Sequence, residues 1–250
     1  MAEQFGVQGR GAFYEEAGAI RDVIQNHLLQ VTAMIAMEPP TSRDLESVRD
    51  QKFQVLHAIR PLKRADVVRG QFTGYVQEPG VAPDSRVETF AALRLHVDTW
   101  RWAGVPFYIR AGKCLPLTTT QVLVQLKRPP LGVFDEVETG HPGYFRFRLS
   151  PDVFMSLGAR VKAAGEAMVG EDVELVARHQ SNEDMQPYER LLGDALQGDQ
   201  RLFAREDAVE AAWRIVDPVL GNRTPLYKYA PGTWGPAEAD RIMGRGRAWA

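Results

Sequence analysis

His27 lies beside Leu28, on the edge of the apolar side of the first long helical stripe in the chain. An imidazole titrates near neutrality, so it can take a proton from an alcohol at ordinary pH. The plain alternative is a helix-edge histidine satisfied by one hydrogen bond. Asp22 stands five residues earlier. On an α-helix of ~3.6 residues per turn the two side chains lie about 140° apart. That excludes a direct hydrogen bond, but it lets both flank a shared ligand the size of a sugar. A solvated surface carboxylate is the alternative for Asp22. Lys113 follows Gly112 at the end of an alternating run in which Val105, Phe107 and Ile109 are apolar. Glycine permits unusual backbone angles and can aim the lysine into a cleft, where its ammonium offers three donors to hydroxyls or phosphate. A loop lysine in water is the alternative.

Other reactive types read more plainly. Cys114 has no histidine nearby in sequence and reads as a packed thiol. Trp100 and Trp102 flank Arg101, and structural packing explains them better than base stacking. Arg146 and Arg148, two apart on a strand, share one face and read as a solvent-facing row paired with acidic neighbours.

These residues need elements to hold them. Ile20, Val23, Ile24, Leu28, Val31 and Ile35 recur at helical spacing, so a helix is expected from about Tyr14 to Met37, stopped by Pro39 and Pro40. Thr41 and Asp44 have capping-box spacing before a second helix that ends at Pro61. Residues 77–88 carry loop chemistry. Alternation at 93–97, 105–109, 122–126, 145–147 and 173–177 predicts half-buried strands, mostly antiparallel, since parallel strands are apolar on both faces. Helical stripes return at 188–195 and 208–216, and Pro236 opens a short final helix. The expected fold is α+β, a large mixed, mainly antiparallel sheet with helices packed on one face, forming one domain over residues 1–250.

Composition removes several function classes. Hydrophobic residues at 44% and charged residues at 25% are globular values and exclude a disordered tail. Lys and Arg total 30 against 32 Asp and Glu, so there is no basic excess for gripping nucleic acid. A lone cysteine cannot form an internal disulfide, which fits a reducing compartment. No apolar run approaches the ~20 residues that span a bilayer. The first residues lack a secretory pattern, and a cytoplasmic location is expected. Gly6, Gly9 and Gly11 stand in the wrong order for a phosphate-cradling loop, and no spacing suits zinc.

Several separate segments together resemble glucose-6-phosphate dehydrogenase: GAIRDVIQNHLLQ at 18–30, AMEPP at 36–40, WAGVPFYIRAGK at 102–113, PYERLL at 187–192, AWRI at 212–215 and GPAEAD at 235–240. They occur in the family's order and span nearly the whole chain. The likeness is to the C-terminal, substrate-binding and oligomerisation part of that enzyme. The family's preceding nucleotide-binding domain, roughly 200 residues, carries the glycine-rich NADP loop and the motif RIDHYLGK, neither of which occurs here. A fragment or a separately encoded half is expected.

The resemblance implies that His27 is the catalytic base, removing the C1 hydroxyl proton of glucose 6-phosphate as hydride leaves for NADP. It implies that Asp22, Lys113 and Glu3 contact the substrate. It further implies the oxidative pentose phosphate pathway, 6-phosphogluconolactone as product, a homodimer, and an NADP held mainly by the domain not present. The isolated chain is expected to be inactive. A non-catalytic scaffold for a separate nucleotide-binding half, or a sugar-phosphate-binding module, are the alternatives. One departure stands out: some relatives carry arginine five residues after the lysine, where this chain has Thr118.

Overall fold

Strands with one apolar and one polar face pair into antiparallel sheets, and here they divide between two. The structure, a computed structural model, describes residues 1–134, 142–178, 187–200, 203–244 and 247–249. It forms two compact units, one of residues 1–117 and 185–249, the other of residues 118–184.

In the first unit, β1 (Val67–Phe72), β2 (Phe90–His96), β3 (Pro106–Gly112) and β8 (Leu226–Tyr229) form a sheet in the order β3-β2-β1-β8. β1 with β2 and β2 with β3 are antiparallel, while β1 and β8 run parallel. The alternation in β2 decides what each face meets. Leu93 and Leu95 look toward a core with Ile24, Leu29, Leu56 and Ile215. Phe90 and Ala92 look the other way, toward Tyr14, Phe72, Tyr75 and Tyr229. Each fully buried leucine or isoleucine contributes about 1.5–3 kcal/mol of apolar transfer energy. The helices α2 (Leu29–Ala36), α3 (Leu45–Ala58) and α5 (Glu206–Val216) all supply the first of these cores. The α-helix α4 (Pro187–Leu196) belongs to this unit as well.

The second unit is an antiparallel sheet of β4 (Thr120–Gln125), β5 (Tyr144–Ser150), β6 (Phe154–Lys162) and β7 (Gly170–Arg178), in chain order. Its register sorts the side chains. Val124, Phe145, Leu157 and Leu175 stand in one cross-strand row, and Val122, Phe147, Met155 and Ala177 in the next on the same face. The opposite face carries Arg146, Ser156 and Glu174, where Arg146 Nη1 lies 3.4 Å from Glu174 Oε1. Arg146 is thus paired with an acidic neighbour, as expected, whereas the Arg148 guanidinium lies over the Phe154 ring, 5.6 Å from its centroid.

The α+β class and the antiparallel preference agree with the sequence, with the strands shared between two four-stranded sheets. Three strands escaped the pattern. β1 is buried along its whole length and holds Arg69 and Gln71, so it never alternates. β8 has four residues, and β6 lies between recognised runs. The capping box also differs. Asp44 itself caps α3, its Oδ1 accepting from Glu46 N at 3.4 Å. The expected 14–37 helix is broken into three pieces, and that break shapes the site. Among the described residues no helix is long and apolar enough to cross a membrane.

Candidate functional site

The helix that begins at Gly11 does not run on smoothly. α1 (Gly11–Ala19) contains Gly18 at φ 65° and ψ 171°, far from helical values. An L-residue with a side chain is strained there. A Cβ on Gly18 would also stand 2.7 Å from Glu88 Oε1. Beyond this bend, Ile20–Leu28 is π-helical, and Leu29 N donates to Ile24 O, five residues back. α2 then resumes the ordinary pitch.

This pitch overturns the angular expectation for Asp22 and His27. With i→i+5 bonding, residues five apart are about one turn apart. At roughly 4.4 residues per turn the two side chains therefore lie about 50° apart, on the same side, instead of about 140° apart as α-helical geometry dictates. Val23, Ile24 and Leu28 go into the core, while Asp22 is half-buried and His27 exposed. His27 is thus not enclosed by apolar packing.

The start of the π segment is tied down from inside the protein. The Glu88 carbonyl accepts from Ala19 N at 2.9 Å, and its carboxylate Oε1 accepts from Ile20 N at 3.3 Å. Glu88 Oε2 takes a 3.0 Å bond from Arg69 Nε. Both side chains are almost wholly buried, at 2% and 5% exposure for Arg69 and Glu88. Arg69 spends its other donors on Thr224 O and Arg86 O. The buried pair is fully hydrogen-bonded, the condition under which an interior ion pair is tolerated.

Lys113 is held from a different direction. Its N–H donates to Thr89 O at 3.0 Å, and its carbonyl accepts from Tyr229 Oη at 2.7 Å. The N-terminal residues pass beside it: Ala2 bridges Gly112, Glu3 N donates to Gly112 O, and Leu115 N donates to Glu3 O. Lys113 Nζ then meets Glu3 Oε2 at 2.7 Å. The rings of Phe5 and Tyr14 both lie 5.2 Å from the ammonium. Aromatic faces attract a cation at such distances. Gly112 serves a purpose other than the expected one. Its backbone is not left-handed; a Cβ would instead strike Phe90 Cδ2 at 2.7 Å. The left-handed turn belongs to Cys114, at φ 52°.

Tyr14 joins the two groups. It is 2% exposed, and its hydroxyl is buried without a hydrogen-bond partner. Burial drives its ionisation well above the ordinary phenol range, and the charges of Asp22, Glu88 and Glu3 push further the same way. Asp22 and Glu3 therefore both act on one phenol, whose face receives Lys113. The structure joins Glu3 to Lys113 directly, while Asp22 acts on the same phenol only through its charge. No hydrogen bond links His27 to the other three among the described residues. Sequence reasoning missed Tyr14, Arg69 and Glu88. A charged residue inside the short VVRGQF run, flanked by valines and a phenylalanine, was the available signal, since a buried charge demands a partner. Glu88, in the loop-like stretch, is that partner.

Among the described residues no glycine-rich turn joins a strand to an α-helix N-terminus, the arrangement that cradles a dinucleotide in a doubly wound sheet. The glycines after β8 lead into the 3₁₀ turns of Ala237–Ile242, and the space a Gly235 side chain would fill holds the Phe90 ring, 2.4 Å from its Cβ position. No group of three or more potential metal ligands occurs among the described residues.

The family described as "Glucose-6-phosphate dehydrogenase, C-terminal domain" matches residues 1–250. Glucose-6-phosphate 1-dehydrogenase 1 of Mycobacterium tuberculosis (strain ATCC 25618 / H37Rv) is 44% identical over 252 residues, covering 100% of this chain and 53% of the relative. Glucose-6-phosphate 1-dehydrogenase of Aggregatibacter actinomycetemcomitans is 42% identical, covering 99% and 54%. The crystal structure of the enzyme from Mycobacterium avium superposes with a TM-score of 0.92 at 43% identity, covering 100% of this chain and 54% of that one. A glucose-6-phosphate dehydrogenase in complex with its substrate glucose 6-phosphate gives 0.90 at 32% identity, covering 100% and 55%. The chain spans about half the length of the relatives it matches.

Proposed function

Because the chain belongs to the glucose-6-phosphate dehydrogenase C-terminal domain family, we propose that it forms the sugar-binding half of an NADP-dependent enzyme that oxidises glucose 6-phosphate to 6-phosphogluconolactone. Residues 1–250 serve as one functional domain built from both compact units. The pathway supplied is the oxidative pentose phosphate route, in the cytoplasm.

One observation supports this reading: Asp22 and His27 fall on one side of the π segment, whose preceding helix carries Tyr14 against the Lys113 ammonium that Glu3 pairs. Oxidising an alcohol requires that its hydroxyl proton leave. His27 is exposed and takes that proton from the C1 hydroxyl. Asp22, one turn before it, accepts a hydrogen bond from a neighbouring hydroxyl and limits how the ring can rotate. Glu3 spends one carboxylate oxygen on Lys113, which keeps the ammonium aimed. Lys113 has three N–H donors, so those not engaged by Glu3 reach sugar oxygens. The hydride acceptor, NADP, is supplied by a nucleotide-binding half.

The apolar face of β4–β7 supports a homodimer. Phe145, Met155 and Leu175 are 36%, 47% and 65% exposed on one sheet face. Such a contiguous patch marks a protein contact.

The direct test supplies the chain with NADP and glucose 6-phosphate, with and without the nucleotide-binding half of a relative. NADPH formation only when that half is present is the expected result. No turnover in the reconstituted pair, together with no heat of binding for glucose 6-phosphate, overturns the reading.

A further inference from the structure

The two halves of the candidate site hang from neighbouring residues of one strand entrance. Glu88 holds the start of the π segment through its carbonyl and carboxylate. Thr89 is fully buried and accepts the Lys113 amide on its carbonyl. Its hydroxyl also accepts from Phe72 N and lies 3.1 Å from Tyr229 Oη, which itself binds Lys113 O. A dipeptide placed like this sets the distance between the helix bearing Asp22 and His27 and the strand end bearing Lys113.

Glu88 does more than anchor. A helix leaves its first N–H groups without intrahelical partners, and groups from elsewhere in the fold can take them. At this helix the Gly18 bend presents Ala19 N and Ile20 N together, and Glu88 takes both. The carboxylate cannot swing away. Arg69 grips its other oxygen, and Arg69 is itself fixed by Thr224 O and Arg86 O. Nor can the bend be filled, because a Gly18 side chain would collide with Glu88 Oε1.

We propose that Glu88, locked by the buried Arg69 guanidinium, is a positioning residue: by holding the Ala19 and Ile20 amides at the Gly18 bend, it imposes the wide pitch that puts Asp22 and His27 on one side. The importance of this for glucose 6-phosphate rests on the function proposed above, but the geometry can be tested without it.

The reporter is a metal chelate. Asp22→His puts a second imidazole five residues before His27. At π pitch the two rings face one way and chelate Cu(II), whereas at α pitch they diverge. The variant D22H should bind Cu(II) roughly tenfold or more tighter than either the unaltered chain or D22H combined with His27→Ala, on the scale by which supporting residues alter metal affinity. Adding Glu88→Asp keeps the charge beside Arg69 but withdraws the carboxylate by one methylene. That change should remove most of the gain. It should also speed hydrogen exchange at Ile20, whose amide donates to the carboxylate, by roughly tenfold, as expected where a local hydrogen bond limits opening. A second background, Arg69→Met with Glu88→Gln, removes both buried charges and should behave the same way.

If D22H gains no copper affinity, or keeps it in both backgrounds, the proposal fails. Exchange in the unaltered chain needs no variant: Ala19 and Ile20 amides exchanging as fast as an open loop would also overturn it. Copper and exchange results as expected, beside a reconstituted enzyme that does not oxidise glucose 6-phosphate, would leave the clamp standing and remove the functional reading alone.

Discussion

His27 and Lys113 face opposite demands, and their surroundings differ accordingly. The imidazole is exposed, so it meets substrate with little desolvation, and its contribution is read in rate. His27→Ala in the reconstituted enzyme should lower kcat by ~100-fold or more, the usual scale for a lost general base. Steady-state kinetics with glucose 6-phosphate measure it. Lys113 and Glu3 are instead 10% and 18% exposed at their side chains, so each depends on the other. Lys113→Met strands the carboxylate and should cost about 3 kcal/mol in urea unfolding, while Lys113→Met with Glu3→Gln should recover most of it. Cys114, beside the lysine, is a different case. Burial raises its thiol above the ordinary 9.0, with Glu78 adding to the effect and Lys113 opposing it. The folded chain thus holds a proton that the unfolded chain releases, so this group's contribution to stability declines as pH rises past 9.0 toward the folded value. The same shift means that alkylation at about pH 8 should be slower in the native chain than in the denatured one, because the thiolate is the nucleophile. Mass spectrometry with iodoacetamide follows both rates.

The helical stripe from Ile20 to Ile35 shows which properties of an element are legible and which are not. Apolar periodicity correctly announced a core-facing helix, because Val23, Ile24 and Leu28 have to be buried at either pitch. It could not announce the pitch itself. That is set by Gly18 and by Glu88, seventy residues on in the chain, through a contact that only the folded protein makes. The consequence for stability is specific. Gly18→Ala places a side chain at a positive φ and against a fixed carboxylate, and should cost about 2 kcal/mol or more in urea unfolding. Glycines with open space around them, such as Gly193, should tolerate alanine far better. β1 teaches the complementary lesson. Its Arg69 and Gln71 hide it from any alternation rule, since polar groups enter a strand interior once partners are supplied from elsewhere.

Across the whole chain, two units divide the work that the sequence presented as one stretch. The first carries Glu3, Asp22, His27 and Lys113, and the second carries the sheet with the exposed apolar face. If that face joins two copies, Leu175→Glu should shift sedimentation from dimer to monomer without changing glucose 6-phosphate affinity. An unaltered chain that sediments only as monomer at high concentration would remove the dimer. The sequence alone determined the α+β class, the antiparallel preference and the core-facing stripes of the longer helices, because these follow from short-range periodicity, and its resemblance to a known family nominated the four candidate residues. Only the tertiary structure decided that Asp22 and His27 face the same way, that Glu3 pairs with Lys113, and that a buried arginine and glutamate hold the helix between them. Those arrangements depend on groups far apart in the chain meeting where water is excluded, and no local pattern of side chains encodes such a meeting.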